Sequence, residues 1–80
     1  MKLAELTEFL VKNLVHDSDS VSVRQIDDED SIIIEVLVSE DEMGAVIGRG
    51  GNIAKAIRTL VYAAAYVNGD KKVRINIDSI

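Results

Sequence analysis

Apolar residues at Leu3, Leu6, Leu10 and Leu14, with Val11 beside them, recur every three or four positions, while Glu5, Glu8, Lys12 and Asn13 fall elsewhere on the same wheel. That period predicts an amphipathic helix ending near His16. The stretch HDSDS at 16–20 then breaks the period with turn-forming residues. The period next changes to two. Val21 and Val23 alternate with Ser22 and Arg24, and Ile32, Ile34, Val36 and Val38 alternate with Ile33, Glu35 and Leu37. These read as two strands, and the acidic DDED at 27–30 between them makes a β-hairpin, its carboxylates a solvated turn.

The second half returns to helical spacing. Ser39 followed by Glu42 matches a capping box, which predicts a short helix carrying Met43, Val46 and Ile47. Gly48 stops it. A longer helix is expected from Asn52, with Ile53, Ile57, Leu60, Val61 and Ala64 turned inward, and Asn68-Gly69 punctuates its end. Val73, Ile75 and Ile77 then alternate with Arg74, Asn76 and Asp78 as a last strand. The order is α-β-β-α-α-β, in a single domain over residues 1–80 with no internal repeat, linker or low-complexity tract.

Composition narrows the classes. Eighty residues, 48% hydrophobic and 29% charged, make a small globular domain with little stability to spare. There is no cysteine, so neither a disulfide framework nor a thiolate zinc site holds the fold, which suits a reducing cytoplasm. Glu5, Glu8 and Lys12 interrupt the first helix, so it does not read as a signal peptide. No apolar run approaches the roughly 20 residues that span a bilayer. The expectation is a soluble, cytoplasmic protein.

The net charge of −5 conceals an asymmetry. Residues 1–43 carry three basic and twelve acidic side chains, whereas residues 44–80 carry six basic and two acidic ones. The halves therefore differ in sign, −9 against +4, and local field decides docking within a Debye length of about 8 Å. Four of the chain's five glycines, Gly44, Gly48, Gly50 and Gly51, open the basic half. Glycine at this density marks backbone that turns sharply or approaches something closely.

Three partners fit such a loop: a nucleotide phosphate, a nucleic-acid backbone, or another helix. A P-loop requires G-x-x-x-x-G-K-[ST], but Gly44 to Gly48 has the wrong interval and no Lys-Ser or Lys-Thr follows. The dinucleotide fingerprint G-x-G-x-x-G fails because Ile53 stands where its third glycine is needed. What remains is Val46-Ile47-Gly48-Arg49-Gly50-Gly51, an apolar-Ile-Gly-x-x-Gly junction between two helices. A plain glycine-rich helix turn has the same composition. Bare backbone at a helix N-terminus, with Arg49 on the loop, is suited to phosphate.

This stretch resembles the GXXG loop of KH domains, which clamps the backbone of about four single-stranded nucleotides. The likeness extends along the chain. The order α-β-β-α-α-β with GXXG between adjacent helices is similar to the type II KH arrangement of bacteria. VIGRGGNIAKAIRTLV at 46–61 and MKLAELTEFLVKNLV at 1–15 resemble the small stand-alone bacterial KH proteins. The resemblance implies an α+β fold, a three-stranded sheet with three helices on one face. It also implies an RNA-binding protein, an RNA chaperone or post-transcriptional regulator, acting as a homodimer or as a heterodimer with a larger KH protein. No cofactor or metal is implied.

By that likeness the RNA site comprises Val46, Ile47, Gly48, Arg49, Gly50, Gly51 and Asn52. Lys55 and Arg58, three apart and one turn on, share a face that is either an electrostatic support or ordinary solvated surface. Val46 and Ile47 are candidates both for an apolar groove floor and for core. Lys71, Lys72 and Arg74 enter the last strand beside the turn at Asn68-Gly69, which by the resemblance is the variable loop on the other wall of a KH groove; they either contribute to that wall or are ordinary solvated charges. Phe9, Tyr62 and Tyr66 are the chain's aromatics and none adjoins the loop, so base stacking of the kind used by aromatic platforms is not expected.

His16 lies outside any nucleophilic or carboxylate constellation. Asp17 and Asp19 lack the further ligands and glycine of a calcium loop. No catalytic set is present, and the chain does not read as an enzyme. LVYAAAYV at 60–67 is uncharged on every side of its helix, so Tyr62, Ala63 and Tyr66 are expected at a dimer interface. A protein-interaction module with a KH fold and little RNA affinity is the rival reading, favoured by the acidic first half.

Overall fold

A computed structural model describes residues 2–80. The chain runs α1 (Leu3–Lys12), β1 (Ser22–Asp27), β2 (Ser31–Val38), α2 (Met43–Ile47), α3 (Asn52–Asn68) and β3 (Lys72–Ser79), with short 3-10 turns at Ser18–Ser20, Glu40–Glu42 and Arg49–Gly51. This is the expected α-β-β-α-α-β order. The sheet order is β1-β2-β3. β1 and β2 pair antiparallel as a hairpin, with Val23 opposite Val36 and Arg24 opposite Glu35. β2 and β3 pair in parallel, Ile34 opposite Ile75. A parallel neighbour needs a crossover, and α2, the glycine loop and α3 supply it.

Strand alternation sets the core. Ile32, Ile34, Val36 and Val38 of β2 are buried and cluster with Val73 and Ile75 of β3, Leu3 and Val11 of α1, Val46 of α2, and Ile57, Val61 and Ala65 of α3. All three helices thus cover one face of the sheet. The central helical position of α1 is Thr7, fully buried, whose hydroxyl donates to the Leu3 carbonyl at 2.8 Å. That bond lets a polar residue occupy a core position at little cost.

Two local expectations change. α1 ends at Lys12 rather than near His16, because Asn13 closes it: its side-chain amide donates to the Phe9 carbonyl at 2.7 Å, and the Leu14 N–H bonds the Val11 carbonyl at 3.0 Å. The capping box does not form either. Ser39 makes no side-chain cap, and Glu42 is buried instead. The Glu42 carboxylate accepts the backbone N–H groups of His16 and Asp17, each at 2.9 Å, and so ties the α1–β1 connection to the start of α2.

These bonds hold the Glu42 carboxyl below its ordinary value of 4.5, the Asp17 N–H contributing most and the His16 N–H next. A depressed pKa in the folded state means stability that is present above the unfolded value and lost as pH falls through the folded one. Glu42→Gln should therefore melt below the parent at neutral pH. The gap should narrow as the pH drops well below 4.5. Circular dichroism melts across that range test this, and a gap independent of pH would refute it.

Candidate nucleic-acid interface

α2 ends at Gly48, whose N–H bonds the Gly44 carbonyl at 2.9 Å and whose backbone lies at φ 77°, ψ 172°. A Cβ on Gly48 would stand 2.5 Å from Ile53 Cγ1 and 2.9 Å from Ile53 Cβ and Cδ1. Both the torsion and the contact demand glycine there. Gly50, at φ 64° and ψ 16°, is different: nothing lies within 4 Å of where its Cβ would be. The loop is pinned against Ile53 at its start and bare in its middle, so its main chain is open to close approach there.

α3 begins at Asn52, directly after this loop, and its first turn holds no acidic residue. The opening N–H groups of a helix lack intrahelical partners, and the helix dipole adds positive potential at that end. Arg49, Asn52 and Lys55 are exposed. Arg58 is half-buried and donates from Nη2 to the Ile75 carbonyl of β3 at 3.4 Å. It stands about 10 Å along the helix from Gly51, at 1.5 Å per residue. Among the described residues the ion pairs are Lys12–Glu8 and Arg24–Glu35. Every cation from Arg49 to Arg74 is thus without a carboxylate partner, while two of the acidic half's cations are paired.

α3 sorts its side chains around the axis. Ala54, Ile57, Val61 and Ala65 face the core. Arg58 reaches β3 on one flank, and Lys55 and Tyr62 lie on that same side. On the other flank Ile53, Ala56 and Leu60 line an apolar groove with Leu10 and Leu14 of α1.

Ile47, Gly48, Arg49, Gly50, Gly51 and Asn52 therefore form one surface, with Lys55 and Arg58 along its flank. Val46 does not join it: it is fully buried in the core, and its role is packing. Lys71 donates from Nζ to the Asp28 carbonyl at 2.5 Å, and Lys72 and Arg74 border Asp28 and Ile33, away from the loop. The expected interface trio is divided. Tyr62 (39% exposed) lies on the β3 side, while Ala63 and Tyr66 (87%) stand at the outer crest. Leu60, expected inside, is 53% exposed and Val67 is 82% exposed. Ala65 takes the core position instead, because a buried helix stripe at 54, 57, 61 and 65 leaves Leu60 a quarter-turn away.

Comparison with known proteins decides the family. The model of the family described as KhpA/KhpB, KH domain, matches residues 4–77. The chain belongs to this family. It is 48% identical over 75 residues to the RNA-binding protein KhpA of Clostridium perfringens, covering 94% of this chain and 99% of that one. The KhpA of Borreliella burgdorferi is 45% identical over 73 residues, covering 91% and 88%. The KhpA of Caldanaerobacter subterraneus is 51% identical over 63 residues, covering 79% and 84%.

Among solved structures, Aquifex aeolicus Era bound to GDP and AlF4− superposes with a TM-score of 0.69 at 16% identity. The alignment covers 98% of this chain and 30% of that one. Era in complex with MgGDPNP and nucleotides 1506–1542 of 16S ribosomal RNA gives 0.64 at 18% identity, covering 96% and 29%. At that identity these two show a shared fold, carried in Era by less than a third of the chain. No helix among the described residues is long and apolar enough to cross a membrane.

Proposed function

We propose that this KhpA/KhpB-family chain binds single-stranded RNA, its phosphates seated on Gly48-Arg49-Gly50-Gly51 and its backbone running past Asn52, Lys55 and Arg58. The observation that carries this is the loop itself. Gly50 is open where Gly48 is closed, at the N-terminus of a helix with no acid in its first turn. The names of the relatives as RNA-binding proteins support the same reading. The acidic residues that argued against affinity lie in the first half of the chain, and the cations that argue for it are left unpaired. The role is that of a binding protein, an RNA chaperone or post-transcriptional regulator in the cytoplasm, rather than an enzyme.

The same helix supports a protein contact on a different side. Ala63, Tyr66 and Val67 are exposed together on the outer crest of α3, with the half-exposed Leu60 at its edge facing α1. We take this crest, rather than Tyr62, as the surface for a homodimer or for pairing with a larger KH protein of the KhpB kind. The two activities use separate flanks and coexist.

Fluorescence anisotropy of a labelled single-stranded RNA across a salt series tests the RNA reading. With Arg49, Lys55 and Arg58 each neutralising one phosphate, log K should fall against log salt with a slope of about −2, at about −0.7 per contact. Arg58→Ala should flatten the slope by about 0.7. An unchanged slope returns Arg58 to a structural role at Ile75. Absence of binding at low salt leaves a protein-interaction module.

A further inference from the structure

We propose, against the expectation drawn from the sequence, that Tyr62, although it does not adjoin the glycine loop, is a stacking platform for a base, lengthening the single-strand path beyond that loop. The inference rests on the RNA reading above and deepens it. Tyr62 follows Arg58 by four residues, so the two side chains lie one above the other on α3. Arg58 is tied to the Ile75 carbonyl, so this flank looks onto β3. β3 pairs with β2 alone, and its far edge is open. α1 lies against the opposite flank of α3, at Ile53, Ala56 and Leu60. A strand leaving the loop along this flank of α3 therefore passes Arg58, beside the edge of β3, to reach Tyr62.

The dimensions and chemistry of this flank suit a strand longer than the loop alone grips. Tyr62 stands about 16 Å along α3 from Gly51, at 1.5 Å per residue, whereas the GXXG loop clamps about four nucleotides. Tyr62 is 39% exposed, so it is partly held by its surroundings and still reachable by a base. Tyr66, 87% exposed, is held far less. No carboxylate occurs between Asn52 and Asn68, so this flank of α3 tolerates a polyanion along its length.

Past Tyr62 the character reverses. The chain reaches Asp70, and Lys71 holds the acidic hairpin turn through the Asp28 carbonyl. The four carboxylates of that turn outnumber Lys71, Lys72 and Arg74, so phosphate is disfavoured there and the last contact falls to a neutral aromatic face. Every base has a π-face, so the platform adds length and affinity without selecting sequence.

The chain has two tyrosines and no tryptophan, so its intrinsic emission is tyrosine emission alone. In Tyr66→Phe the emission comes from Tyr62. Titrating that variant with unlabelled single-stranded RNA of four and of eight nucleotides, alongside anisotropy of labelled strands, reads stacking and binding separately. The expected result is quenching by the longer strand and little by the shorter. Tyr62→Ala should weaken the longer strand by about 5- to 150-fold, and Tyr62→Phe should bind as the parent does. Binding of the longer strand without quenching overturns the platform and leaves the loop reading intact, as does Tyr62→Leu binding as tightly as Tyr62→Phe. A parent that binds neither strand overturns both.

Discussion

Gly50→Asp is expected to remove RNA binding and leave the fold standing, whereas Gly48→Asp should lose both. The two glycines are two residues apart in one loop, and their surroundings differ. At Gly50 an added side chain enters open space, and its left-handed torsions are ones that Asp tolerates better than most residues. The new carboxylate would stand where a phosphate must approach. Two like charges about 4 Å apart repel by about 4 kcal/mol at an effective dielectric of 20. Allowing for screening and rearrangement, binding should weaken on the order of 100-fold. At Gly48 the Cβ itself collides with Ile53 at 2.5 Å, and φ is positive. Backbone strain and overpacking together should cost roughly 2–4 kcal/mol of stability. Thermal melts with anisotropy on the same samples separate the cases. A Gly50→Asp protein that binds RNA like the parent would remove the loop from the site.

Most of the architecture was legible because its signals are local and periodic. The alternation from Ile32 to Val38 gives a buried strand face that the structure reproduces residue for residue. Gly48 and Asn68-Gly69 bound their helices as expected. Three features were not legible, each for a physical reason. Thr7 reads as polar, but its hydroxyl is satisfied four residues back along its own helix, so a core position escapes a hydrophobicity pattern. Glu42 matches a local cap, yet its carboxylate serves N–H groups 25 and 26 residues away in sequence. No local pattern records such a bond.

The third is the phase of α3. Its sequence is apolar nearly all round between Leu60 and Val67, so periodicity fixes that a helix exists without fixing which side is inside. In the structure the side that is buried carries the small Ala54 and Ala65 together with Ile57 and Val61. That phase moves Leu60 outward and places Tyr62 on the same flank of α3 as Arg58. In the glycine loop the spacing pointed to a binding surface. The division of labour between Gly48 and Gly50 depends on Ile53, five residues after Gly48, and emerges only with coordinates.

The outward phase of α3 sets the other large expected effect: Ala63→Arg should convert a dimer into a folded monomer. Val67, at 82% exposure, and Tyr66 stand beside Ala63 on the outer crest, and Leu60, at 53%, adjoins it at the edge facing α1. A small domain has limited apolar area to bury within itself, and pairing such crests removes more of it from water. In a symmetric dimer the same crest meets its own copy, so one substitution places two guanidinium groups in the contact. Each would be buried without a partner and near its twin, a situation that costs about 2–5 kcal/mol at interfaces. The dissociation constant should rise on the order of 100-fold or more. Ala63 itself is exposed, so the monomer's core is untouched, and the Lys55–Arg58 flank should bind RNA per chain as before. Sedimentation equilibrium of parent and variant decides this. A parent that stays monomeric at high micromolar concentration refutes the dimer, and a dimer indifferent to Ala63→Arg places its interface on another surface.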